Sequence, residues 1–173
     1  MEYYADNNLL IRSMEIDDAK VFYETYLSYG WHPSLAIYEN YYKEQEECKR
    51  KVFIVEYNGA ICGICTLVLN PTEGPWVEKG YPEIVDLSVF KGFQNMGIGN
   101  KLLDVVEQEA AKLSNVVFLA VGLHSGYGAA QRIYVKRGYV PDGHGVWYQK
   151  KPLEQYSPCC NDDSLVLFMS KKL

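Results

Sequence analysis

The chain has 173 residues, 48% hydrophobic and 23% charged, proportions that exclude collagen-like, fibrous and disordered architectures and lead to the expectation of a single domain, 1–173. With 17 Lys and Arg against 22 Asp and Glu the net charge is -5, so the basic footprint that nucleic acid requires is missing and the balance favours cationic ligands such as amines. No apolar run approaches the about 20 residues of a membrane span, and Met1-Glu2-Tyr3-Tyr4-Ala5-Asp6 lacks the basic-then-apolar order of a signal peptide; the expectation is a cytoplasmic protein with no membrane partner.

In chain order, Leu9-Leu10-Ile11 suits a first strand, and Ala19, Phe22, Tyr23, Tyr26 and Leu27 give Glu15 to Tyr29 helical spacing. Asp17 and Asp18 favour the start of that helix through its dipole. Gly30-Trp31-His32-Pro33 breaks it, and Ser34 to Lys49 reads as a second helix. Two apolar runs, 52–57 and 60–69, flank Asn58-Gly59, a strong hairpin signal. The Pro- and Gly-rich stretch from Asn70 to Pro82 is a loop long enough to cover a binding site. A strand over Ile84 to Phe90, a helix over Gly99 to Leu113 and a strand over Val116 to Val121 then form a parallel crossover. Gly126 to Arg137 is a short helix stopped by Gly138 as a left-handed cap, and two last strands follow near 146–149 and 165–170. The fold class expected is α/β (α+β), a mixed and mostly antiparallel sheet flanked by helices, with one parallel strand-helix-strand crossover.

Five cysteines in a chain with an adequate core read as reduced thiols. Cys62 and Cys65 lie three apart on a strand and so point to opposite faces, and Cys159-Cys160 sit in a turn-rich loop without histidine nearby. His32, His124 and His144 form no pair at metal-ligand spacing, so no metal is expected. A nucleophilic cysteine would need an activating base that the sequence does not place.

The most informative segment runs from Asp86 to Asn100, where a strand feeds a Gly-containing turn that opens a helix, an arrangement whose backbone N–H groups attract phosphate oxygens. Gly92 and Gly97 have Walker spacing, but Ile98 and Gly99 stand where that loop needs Lys and Ser or Thr. A dinucleotide fingerprint fails as well, because Leu102 occupies its third small position. What remains is Gln-x-x-Gly-x-Gly, written here Gln94-Asn95-Met96-Gly97-Ile98-Gly99.

This motif resembles the acetyl-CoA loop of the GCN5-related N-acetyltransferase (GNAT) family, and Ala130-Gln131-Arg132-Ile133-Tyr134-Val135-Lys136-Arg137-Gly138-Tyr139 is similar to the family's later Ala-x-x-x-Tyr-x-x-x-Gly-Phe/Tyr segment. The order of the two motifs, the hairpin and the two early helices extend the likeness over nearly the whole chain. The resemblance implies acetyl-CoA as cosubstrate, held by Leu87, Ser88 and Val89 of the strand and by Gln94, Asn95, Met96, Gly97, Ile98, Gly99 and Asn100 of the loop. One departure is Tyr127, which stands where family members often have an Asn.

A primary amine with a pKa near ~10.4 leaves roughly one molecule in a few thousand with a free lone pair at neutral pH, so acetyl transfer needs a base. The resemblance points to a carboxylate at the start of the strand, Glu83, as that base. Asp86 is the rival, on the opposite strand face unless a bulge intervenes. The resemblance further implies the Leu87 N–H as donor to the oxyanion and Tyr134 as the acid that protonates the departing thiolate. The series Tyr23, Tyr26, Tyr29, Trp31, Tyr38, Tyr41 and Tyr42 falls on the helices that line the acceptor side in the family. The function expected is an N-acetyltransferase acting on an amine-bearing small molecule or peptide, with a homodimer left open; the alternative is a non-catalytic acyl-CoA-binding sensor module.

Overall fold

The computed structural model describes all 173 residues. Its elements in chain order are β1 (Glu2–Ala5), β2 (Leu9–Ser13), α1 (Asp18–Ser28), α2 (Leu35–Glu46), β3 (Arg50–Tyr57), β4 (Ala60–Val68), β5 (Glu83–Val89), α3 (Ile98–Ala111), β6 (Val116–Gly122), α4 (Gly128–Lys136), β7 (Val140–Tyr148), β8 (Lys151–Pro152) and β9 (Leu165–Lys172). Short 3-10 turns lie at Val77–Lys79, Lys91–Phe93 and Ser125–Tyr127. The strand order is β1-β2-β3-β4-β5-β6-β9-β7-β8, with β5 and β6 as the parallel pair, which is the mixed and mostly antiparallel architecture expected from the sequence. The chain forms two compact units, one of residues 1–69 and 86–106, the other of residues 70–85 and 107–173.

In the first unit β1 to β4 pair antiparallel in sequence order, and Asn58 and Gly59 turn between β3 and β4 with φ of 50° and 79°, the left-handed pair that a two-residue hairpin requires. Helices α1 and α2 bury an aromatic face on this sheet: Phe22, Tyr26 and Tyr38 pack with Val52, Ile54, Ile64 and Phe90. Burial of each such side chain contributes about 1.5–3 kcal/mol, which holds these short helices in place against their modest intrinsic stability. Asp18 lies in the first turn of α1, as expected, and also accepts two hydrogen bonds from Arg12 (2.7 and 2.9 Å) and one from the Glu15 N–H (2.7 Å), tying the helix start to β2.

In the second unit β6 pairs antiparallel with β9, and β9 with β7. The start of β5 joins it through Glu83 opposite Phe118 and Ile84 opposite Leu119. Phe118, Trp147 and Phe168 form an aromatic centre, and Gly74 of the long loop passes so close that an added Cβ would lie 3.1 Å from the Phe168 ring. The buried Glu107 carboxylate accepts two hydrogen bonds from Arg137 (3.0 and 2.8 Å), one from Lys171 (2.6 Å) and one from the Tyr139 hydroxyl (3.1 Å). Burial pushes its pKa up, but these donors and charges outweigh that and hold it below the ordinary glutamate value.

Three elements depart from the sequence reading, one of them the two-residue β8, which pairs with β7 in addition to the two last strands expected. Strand β1 is present although Glu-Tyr-Tyr-Ala shows no apolar alternation, because pairing with β2 satisfies its backbone. Strand β7 begins at Val140, six residues earlier than expected, and accommodates Gly143 and Gly145 at φ of 86° and 80° through a register shift between Pro141 and Val146.

Candidate active site

The loop between β5 and α3 is built by backbone geometry. After the 3-10 turn Lys91–Phe93 the chain extends at Gln94, then takes left-handed conformations at Asn95 (φ 63°) and Gly97 (φ 82°), and α3 starts at Ile98, whose buried side chain anchors the turn. Asn tolerates the left-handed region better than most residues, and Gly needs no tolerance. No atom lies within 4 Å of a Cβ built on Gly97, so the loop leaves open space there. The first-turn N–H groups of Ile98 and Gly99 have no acceptor within the helix, which suits phosphate oxygens. The Gln94 side-chain amide donates to the Val89 carbonyl (3.0 Å), closing the loop back onto the strand that the sequence singled out.

On β5 itself the decisive residue is Asp86, whose φ of 57° breaks the strand's regular alternation. That is the irregularity on which the facing of Asp86 depended. Its Oδ2 accepts a hydrogen bond from the Tyr41 hydroxyl (2.7 Å) and lies 3.8 Å from Arg50 Nη1; its Oδ1 has no partner within the protein. The side chain keeps 39% of its surface in contact with solvent, yet protein atoms crowd the carboxylate closely. This loss of hydration pushes its pKa above the ordinary aspartate value, against the Tyr41 hydrogen bond and the Arg50 charge, which pull it down. Two residues on, Ser88 Oγ accepts from the Tyr26 hydroxyl (2.8 Å). Burial raises the pKa values of Tyr26, Tyr38 and Tyr41, so all three phenols remain neutral.

The first unit therefore brings together Asp86, Leu87, Ser88 and Val89 with the loop from Gln94 to Asn100. Glu83 and Tyr134 belong to the second unit. Glu83 is the half-buried first residue of β5 beside Phe118. Tyr134 is the buried residue of α4, its ring 5.6 Å from that of Tyr139. Tyr127, the departure from the family pattern, donates its hydroxyl to Asp163 Oδ1 (3.0 Å), which also meets His124 Nε2 at 2.9 Å. Gly122 makes room for it, since a Cβ there would lie 2.4 Å from the Tyr127 ring.

Sequence reading missed Tyr41 and Arg50 as partners of Asp86. Their pairing spans 45 and 36 residues, and no local pattern encodes it. The two strand cysteines are buried, and burial pushes the Cys62 thiol up to about 11, the opposite of what a nucleophile needs. No group of three or more His, Cys, Asp or Glu side chains is placed to hold a metal ion.

Among curated proteins none matches this sequence. Among solved structures, the chain is similar to a Salmonella typhimurium acetyltransferase that modifies the N-terminal serine of a ribosomal protein, with TM-score 0.75 and 11% identity over 100% of this chain and 99% of that one. It is similar to yncA of Salmonella typhimurium, solved with its cofactor acetyl-CoA, with TM-score 0.69 and 18% identity over 96% and 94% of the two chains. A spermidine N-acetyltransferase chimera from Vibrio cholerae and hSSAT gives TM-score 0.69 and 15% identity over 96% of each chain. At these identities the likeness concerns the fold. A family profile for the acetyltransferase (GNAT) family matches residues 16–139, which include the Asp86 strand, the glycine loop and the Tyr134 helix, and the chain belongs to that family.

Proposed function

We propose that this protein transfers an acetyl group from acetyl-CoA to a primary amine, with Asp86 as the base and Tyr134 as the acid. The observation that carries this reading is the Asp86 carboxylate, held in a strained backbone conformation with one oxygen bound and one open, on the strand that leads directly into the phosphate-type loop. Glu83 is the second carboxylate of the same strand and serves as the paired comparison.

Acetyl-CoA supplies the thioester. The loop fits its pyrophosphate because open space at Gly97 adjoins the first-turn N–H groups of α3. Asp86 takes a proton from the incoming ammonium, Leu87 N–H donates to the charge that develops on the carbonyl oxygen, and the Tyr134 phenol protonates the sulfur as it leaves. Similar solved proteins include one in complex with coenzyme A, one with its cofactor acetyl-CoA and a spermidine N-acetyltransferase, which supports the reading.

The test is thiol release from acetyl-CoA across a panel of amines, with calorimetry of acetyl-CoA binding to the wild type and to a folded Gly97→Glu variant. Amine-dependent release and an affinity lowered about tenfold or more in the variant are expected, since a carboxylate would occupy the space offered to phosphate. Binding without release for any amine indicates a sensor module, and unchanged affinity in the variant removes the loop from the site.

A further inference from the structure

The surroundings of Asp86 also restrict which amine can be offered to it, an inference that rests on the reading of Asp86 as the base. Arg50 is already engaged: its Nε donates to Glu44 (2.7 Å), its Nη1 donates to Thr66 Oγ1 (2.8 Å), and its guanidinium lies 4.4 Å over the Tyr41 ring. Glu44 and Asp86 together carry two negative charges against the one positive charge of Arg50. The cluster is therefore short of one cation, and the open Oδ1 of Asp86 is where a single ammonium would bind.

A row of rings leads away from that point. Tyr41 meets Tyr38 edge-on (6.0 Å, 88°), Tyr38 stacks on Tyr26 (6.1 Å, 22°), and Tyr26 stacks on Trp31 (5.1 Å, 14°). Tyr26 and Tyr38 are buried and back the row, whereas Trp31 is 56% exposed. Trp31 is nevertheless fixed, for its backbone N–H donates to the Tyr26 carbonyl (3.1 Å) and its ring meets Tyr29 edge-on. A fixed, half-open indole beside buried phenols offers a flat apolar surface. The charge beyond it is positive, because Lys91 Nζ sits 4.5 Å over the Tyr29 ring. A second ammonium on the acceptor would meet the positive charges of Arg50 and Lys91.

We propose that the acceptor is a monocationic arylalkylamine, its ammonium at Asp86 and its ring against Trp31, which makes Trp31 a specificity-determining residue. In the transfer the amine nitrogen bonds to the acetyl carbon as the carbon–sulfur bond breaks. One ammonium proton leaves through Asp86 to solvent, and a second restores, by way of the Tyr134 phenol, the proton given to sulfur. The products are the neutral amide and the free thiol.

The experiment measures kcat and KM for phenethylamine, tryptamine, hexylamine, spermidine and a short peptide with a free N-terminus, using wild type and the Trp31→Ala and Trp31→Phe variants, each checked for folding by circular dichroism. The two arylalkylamines should exceed hexylamine in kcat/KM by about tenfold and spermidine by about 10²-fold, the scale set by one apolar contact and one misplaced charge. Trp31→Ala should raise KM for the arylalkylamines about tenfold more than for hexylamine with little change in kcat, and Trp31→Phe should restore most of it. A preference for spermidine or the peptide, or an equal loss for all amines in Trp31→Ala, overturns the acceptor assignment while leaving acetyl transfer intact. Acetyl-CoA binding with no amine acetylated overturns both.

Discussion

Asp86 occupies the left-handed region at a cost of about 1–2 kcal/mol for a non-glycine residue, and it carries a carboxylate whose charge is poorly hydrated. A pKa raised in the folded state means that the native protein holds this proton more tightly than the unfolded chain does. Its contribution to stability is fully present below the unfolded value of 3.8 and is lost as pH rises through the higher folded value. Asp86→Asn, which keeps the size and tolerates the conformation, should therefore raise the thermal midpoint at pH 7, with the gain vanishing below pH 3.8, while lowering kcat/KM by about 10²-fold or more. In the wild type the ascending limb of kcat/KM should lie above the pH expected for an ordinary aspartate. Near-normal activity in Asp86→Asn, with activity abolished in folded Glu83→Gln, would move the base to Glu83. At the other end of the reaction, Tyr134→Phe removes only the hydroxyl from a buried ring. Acetyl-CoA affinity should survive and turnover fall on the order of 10²-fold; unchanged turnover in single-turnover experiments that isolate the chemical step would exclude the phenol as acid.

At the scale of elements, β4 and β5 meet where Gly63 leaves no side chain. A Cβ on Gly63 would lie 2.7 Å from the Ser88 carbonyl oxygen, and the backbone atoms involved have no flexible end to give way. Gly63→Ala should then cost about 1–3 kcal/mol and shift Ser88, which holds Tyr26, so activity should fall further than stability alone explains. Chemical denaturation beside initial rates measures both; wild-type values for each would show that the strands separate freely. This contact was not legible in the sequence, where Gly63 reads as one more residue of a strand. The helices and the hairpin were legible because apolar spacing and Asn58-Gly59 are local signals. So was the Gln94 to Gly99 loop, whose glycine pattern reflects backbone demands within a few residues. The ring of donors around Asp86 was not, because Tyr41 and Arg50 reach it from α2 and β3, and only the folded chain brings them there.

For the molecule as a whole, stability of the second unit depends on a buried carboxylate shared by residues far apart in sequence. With the pKa of Glu107 held below 4.5, its contribution is present above that value and disappears as pH falls through the depressed folded one. Glu107→Gln removes the carboxylate that Arg137 and Lys171 share and should destabilise the protein by about 3–5 kcal/mol at pH 7. The difference from wild type should shrink as pH falls through the depressed folded value; a difference that stays constant down to acid pH would mean that shape and not charge holds the network together.

The division of the chain into units that are each discontinuous has a consequence for recombination. The first unit closes only when residues 1–69 meet residues 86–106, so a crossover between related genes anywhere in the 70–85 stretch joins helices α1 and α2 of one parent to the glycine loop of another. Tyr26 would then face a foreign residue at the position of Ser88, Tyr41 and Arg50 a foreign residue at that of Asp86, and Gly63 a foreign backbone. Hybrids that keep these few pairings retain the geometry of both parents. Hybrids that lose one inherit two intact sequences and a broken set of contacts, so the α1 and α2 side chains and the glycine loop travel through such exchanges as a linked set.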